Sequence, residues 1–240
     1  MDDLVTAELP PVLTHFGERV RVGRYGYRLT RELYAQPNST PSAPLRRDMV
    51  SPKMWEQLGR IYEDDAHTRY TEAWVTDQRA GALENFDRNM AFFSRLDQAA
   101  FDDSMTELLA RQRGLREIDD LRPFDGVAGL YVMILGAYRQ AYVGQSSDIR
   151  KRIRAHWNGT KSFDRLLWGS PQTSILSIDS FRPLDTTRIL VARTSNGFAL
   201  EEKIVRALPP DFLLNRVPGG ELTGLRALWA VADLKRRSLT

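Results

Sequence analysis

Cysteine is absent from all 240 residues, which excludes disulfides, thiolate metal sites and thiol nucleophiles. No apolar run approaches the roughly 18 residues of a membrane-spanning helix. The opening residues, MDDLVTAELPPV, are acidic and lack the basic-then-apolar pattern of a secretion signal. These absences lead us to expect a cytoplasmic protein with no membrane partner. Lysine is scarce, outnumbered 29 to 5 by arginine. Planar guanidinium groups suit phosphate, but the bias runs through both halves of the chain, as that of a GC-rich genome does.

What is present is a sizeable apolar fraction, 42%, enough for a core in one large domain or two small ones. Net charge is only +3, but it is unevenly spread. Residues 1–125 hold 17 Lys and Arg against 22 Asp and Glu, whereas residues 126–240 hold 17 against 9. The second half is therefore the one that would attract a polyanion such as nucleic acid.

Patterning divides the chain at the same place. Residues 19–29, alternating and glycine-containing, read as a β-hairpin, and the proline-rich stretch 36–52 as a linker. Apolar residues at helical spacing (Trp55, Leu58, Ile61 and Tyr62, then Leu83, Phe86, Met90 and Phe93, then Met105, Leu108 and Leu109) predict helices over about 53–117. The acidic clusters Glu63-Asp64-Asp65 and Asp102-Asp103 find no further ligand at a useful spacing and are expected on solvated helix surface. Pro123 and Gly126 mark a boundary. After it, strands are expected at 130–135, 140–143, 174–178 and 187–192, with helices at about 147–157, 198–208 and 221–237 and a helical turn at 163–168. The expected organisation is thus a mostly helical region, 1–125, followed by an α/β (α+β) domain, 126–240.

Several residues of the second part carry chemistry. Arg152 and His156 are four apart, so they stack on one helix face beside the apolar stripe Ile149, Ile153 and Trp157. Arg150, Lys151 and Arg154 spread around the outside. Glu201 shares the inner stripe of its helix with Ile204, Val205 and Leu208, and a carboxylate there needs a cation. Glu202, rotated by about 100°, is free to pair with Arg206. Tyr131 and Tyr142 each lie close to a glycine on adjacent strands, where one register places both rings on one face.

Gly129-Leu130-Tyr131 paired with Tyr142-Val143-Gly144 resembles the signature of the GIY-YIG nuclease superfamily, with Leu where Ile is usual. The stretch from Gln145 through Arg152 to His156 resembles that family's catalytic helix. Leu200-Glu201 followed by Pro210 resembles its metal-binding glutamate helix, and Asn215 the asparagine that closes the motif. The resemblance covers about residues 128–217. It implies a small central, mainly antiparallel three-stranded sheet flanked by helices, and hydrolysis of DNA phosphodiesters with one divalent cation, Mg²⁺ or in its place Mn²⁺. Glu201 would hold the metal and Arg152 would meet transition-state charge. Either Tyr131 or Tyr142 would be the general base, its pKa lowered by nearby cations, and His156 would relay a proton or bind phosphate. Arg150, Lys151, Arg154, Lys161 and Asn215 would contact nucleic acid. The first 125 residues would supply target choice, regulation or a homodimer contact. The alternatives are a catalytically inactive nucleic-acid-binding module of the same fold, and a helical scaffold with a folded appendage.

Overall fold

A computed structural model of the chain describes residues 11–23, 26–41, 46–158 and 175–215. The expected helices at 163–168 and 221–237, and Lys161, lie outside the described residues. Mixed helix and sheet is what the rest shows. Strands β1 (Val12–His15) and β2 (Glu18–Arg21) form a hairpin, followed by the short helix α1 (Arg31–Tyr34) and by α2 (Pro52–Gly59). Two longer helices, α3 (Glu72–Arg95) and α4 (Gln98–Arg111), lead to strand β3 (Arg116–Ile118). Then come β4 (Gly129–Leu135), β5 (Gln140–Ser146), α5 (Ile149–Asn158), β6 (Arg188–Arg193) and α6 (Gly197–Ala207).

The main sheet has four strands in the order β3-β6-β4-β5, all antiparallel. The expectation of three strands missed β3. Three residues long and largely exposed at the sheet edge, that strand carries no alternating apolar signal. β4, GLYVMIL, is buried along its whole length, as a central strand covered on both faces must be. Its side chains alternate between two cores. Tyr131, Met133 and Leu135 join Ile149, Ile153 and Trp157 of α5 and Phe86 and Phe93 of α3. Leu130, Val132 and Ile134 join Phe101, Met105 and Leu108 of α4 and Ile204 of α6. The helices of the first half thus complete both cores, and the boundary near residue 125 divides sequence character without dividing the core.

The hairpin sits earlier than expected. Its turn is Phe16-Gly17, both with positive φ (48° and 73°), the backbone of a two-residue turn matched to strand twist. A phenylalanine is not a turn signal, whereas Gly23 and Gly26 downstream are. Phe16 stacks on Trp157 and its carbonyl accepts a hydrogen bond from Leu121 N–H, seating the hairpin tip on the second half. The strand expected at 174–178 is also absent over its described residues. Leu176 N–H donates to the Asn89 side chain (3.1 Å) instead of to a neighbouring strand, and Ser177 caps a single helical turn, Ile178–Ser180. Away from the cores, Trp55, His67, Tyr62 and Tyr70 stack in sequence beside α2, with centroid separations of 3.8, 4.5 and 5.1 Å. Among the described residues, no helix is long and apolar enough to cross a membrane.

At Gly129 a Cβ would lie 2.2 Å from the carbonyl oxygen of Ala192 on the paired strand. Backbone in the centre of a sheet has no room to yield. Gly129→Ala is expected to cost about 1–3 kcal/mol, the usual range for overpacking, and urea denaturation will measure it.

Candidate active site

The β4–β5 register pairs Tyr131 with Gly144 and Met133 with Tyr142. Tyr131 and Tyr142 are therefore diagonal neighbours on one face, their rings 6.3 Å apart. Gly144 is the reason Tyr131 can lie as it does. A Cβ there would stand 2.4 Å from the phenol oxygen, so the ring crosses the space a side chain would fill. Tyr131 is fully buried, while Tyr142 is partly open.

Helix α5 supplies the next two groups. Asp148 starts it, its carboxylate accepting from Lys151 N–H at 2.9 Å. Ile149, Ile153 and Trp157 anchor its inner face, which carries His156 into the core beside them. His156 Nε2 lies 2.8 Å from the Tyr131 hydroxyl, and its Nδ1 lies 2.6 Å from Oδ1 of Asp179. One turn earlier, Arg152 comes close enough to both phenols for its charge to bear on their ionisation. The helical spacing that joined Arg152 to His156 thus places them on the same two tyrosines.

Glu201 comes from α6, whose first residue, Gly197, is pressed against Gln145 of β5. Gly197, Glu201 and Ile204 form its buried stripe, and Glu202 turns outward to Arg206 (2.6 Å), as the helical period requires. The Glu201 carboxylate is close enough to influence the ionisation of both phenols. The structure therefore brings Tyr131, Tyr142 and His156 together at the β4–β5 end of the sheet, with Arg152 and Glu201 near enough for their charges to act on the phenols.

The two phenols are not the low-pKa bases that nearby cations alone would make. Burial holds the Tyr131 hydroxyl well above its ordinary value, and the charge of an ionised Tyr142 would add to this. Burial likewise pushes Tyr142 up to about 12, with Arg152 pulling back only in part. Loss of solvation outweighs the nearby cation.

The outer basic residues separate into different roles. Arg150 grips the buried carboxylate of Glu18 with two nitrogens (2.6 and 3.2 Å) and reaches Asp125 at 3.3 Å. Arg154 also reaches Glu18, at 3.3 Å. These arginines hold the N-terminal hairpin against α5, which was not expected of nucleic-acid contacts. Lys151 is exposed. Asn215 is likewise a structural group. Its Oδ1 accepts from Val143 N–H (2.9 Å) and its Nδ2 donates to Val143 O (2.6 Å), closing the open edge of β5. Asp179 went unnoticed in the sequence, although it is the one carboxylate in the apolar stretch 175–181.

Among the described residues, no cluster of three or more His, Asp or Glu could hold a metal. The carboxylate of Asp64 is occupied by Thr68 and the backbone of Arg69. The donor set at Glu201 still fits Mg²⁺, which keeps most of its waters and takes one or two carboxylates together with substrate phosphate. No family model matches this chain, and neither a curated protein nor a solved structure is significantly similar to it.

The raised tyrosine values have a definite sign in stability. Below pH 10 both phenols are protonated in the folded and unfolded chains. Above it the unfolded chain releases protons that the folded one retains, so stability is lost as pH rises toward about 12. Each tyrosine contributes up to about 1.4 kcal/mol per pH unit in that window. Urea denaturation between pH 9 and 11.5 should show the decline, and Tyr142→Phe should make it shallower.

Proposed function

We propose that this chain is a divalent-metal-dependent DNA endonuclease that hydrolyses phosphodiester bonds. The observation that carries the proposal is the meeting of two phenols, a guanidinium, an imidazole and a carboxylate from β4, β5, α5 and α6. These groups match, position by position, those the GIY-YIG resemblance implies. The positive balance of residues 126–240 suits a polyanionic substrate.

In this reading Glu201 would hold Mg²⁺ or Mn²⁺, and a cation bound there would supply positive charge to offset that of the phosphate and ease departure of the leaving oxygen. Arg152 places its donors where the phosphorane carries extra negative charge. Tyr131 is the base, since His156 Nε2 stands 2.8 Å from its hydroxyl as a proton acceptor. A phenol held protonated by burial cannot wait as a phenolate. It takes a proton from the attacking water as it gives its own to His156 Nε2. The water oxygen bonds to phosphorus, the bond from phosphorus to the leaving oxygen breaks, and that oxygen is protonated from solvent. Tyr142, partly open, faces the substrate side. The acidic N-terminal region serves target choice, dimerisation or regulation, and its Glu18 grip on Arg150 and Arg154 ties it to the catalytic helix.

Supercoiled plasmid with Mg²⁺ tests the proposal. Nicking or linearisation is expected, abolished by EDTA and reduced at least about 100-fold in Glu201→Ala and Arg152→Ala, the scale on which charge-stabilising groups act. Retention of DNA by the wild type without any cleavage would replace the enzyme with a binding module.

A further inference from the structure

A buried carboxylate lies behind the histidine that faces Tyr131. Asp179 is 2.6 Å from His156 Nδ1, both side chains are almost wholly buried, and His156 Nε2 is 2.8 Å from the Tyr131 oxygen. Three groups from three separate segments, β4, α5 and the turn Ile178–Ser180, thus form one line of hydrogen bonds inside the apolar core. The turn is itself fixed. Ser177 Oγ accepts from Asp179 N–H (3.3 Å), and Leu176 N–H is tied to Asn89 of α3 (3.1 Å).

We infer that Asp179 is a positioning residue that sets the tautomer of His156 and so makes Tyr131 usable as a base. The inference rests on the nuclease reading of this site. An ionised carboxylate has only acceptor oxygens. Facing Nδ1, it requires the imidazole hydrogen to be there, and Nδ1–H donates to Asp179. The lone pair of neutral His156 is then on Nε2, where the Tyr131 O–H donates to it. During attack one proton passes from water to the Tyr131 oxygen, and the Tyr131 proton passes to Nε2. The imidazolium so formed faces the carboxylate, which keeps its charge and stabilises it. After cleavage, the proton on Nε2 returns by the same phenol to solvent. With the opposite tautomer, Nε2–H would donate to Tyr131, and the phenol would have nowhere to send its proton. An analogous arrangement is known in serine proteases, where replacing the buried Asp by Asn preserves geometry but selects the wrong tautomer.

Fully ¹⁵N-labelled, full-length protein allows the tautomer to be read directly by long-range ¹H–¹⁵N NMR. With only three histidines, the His156 signals are identified by their loss in His156→Gln. In the wild type a single Nδ1–H tautomer is expected. In Asp179→Asn, whose amide can donate to Nδ1, the hydrogen is expected on Nε2. The cleavage rate at saturating DNA should fall roughly 10²–10⁴-fold, the usual contribution of an acid–base group, with DNA affinity within about twofold. A wild-type His156 carrying its hydrogen on Nε2, or on both nitrogens, overturns the inference even if Asp179→Asn does not fold. So does an Asp179→Asn protein that keeps wild-type cleavage. A wild type that cleaves no DNA defeats the nuclease reading, and with it the catalytic role of Asp179. The NMR result then still shows whether the carboxylate fixes the imidazole.

Discussion

Placing a phenol, an imidazole and a carboxylate inside an apolar core is costly unless each polar atom finds a partner. The structure meets that demand by running them in line from Tyr131 through His156 to Asp179. Each group depends on the next. Tyr131 can reach His156 only because Gly144 leaves its ring room to cross the strand. His156 reaches Tyr131 because α5 is pinned through Ile149, Ile153 and Trp157. The turn bearing Asp179 is fixed from α3 through Asn89. Little of this can shift without leaving a buried polar atom unpaired.

The first half of the chain takes part in this arrangement. Helices α3 and α4 each cover one face of the central sheet. The N-terminal hairpin brings a buried Glu18 to two arginines of α5, beside the turn that carries His156. Removing one partner of such a pair leaves an uncompensated charge. The position of α5, and of the site groups on it, is therefore coupled to residues far earlier in the chain.

Which features were legible in the sequence follows from how each is encoded. Tyr131 and Tyr142 lie on strands, and a period of two with a short loop left one register that puts both rings together. Glu201 stood out because a carboxylate on an apolar helical stripe is anomalous. Arg152 and His156 followed from a spacing of four. Features set by distant contacts were not legible. Asp179 lies on a single turn whose shape comes from Asn89, 90 residues earlier in the numbering, so the apolar residues around it read as a strand. Asn215 closes the edge of β5 through its side chain, a pairing with no periodic signature. Arg150 looked free for phosphate because its partner Glu18 is on a hairpin whose turn contains no conventional turn pair. The upward shift of the tyrosines was hidden for the same reason, since depth of burial is a property of the assembled cores.

Diffraction from crystals grown with Mn²⁺ and a short DNA duplex, using the anomalous signal of manganese, is the most direct test of the site as a whole. The account predicts a manganese peak at the Glu201 carboxylate and a phosphodiester between it and Arg152, with the Tyr131 oxygen facing phosphorus. Manganese elsewhere, or DNA lying across another surface with these side chains untouched, would contradict it.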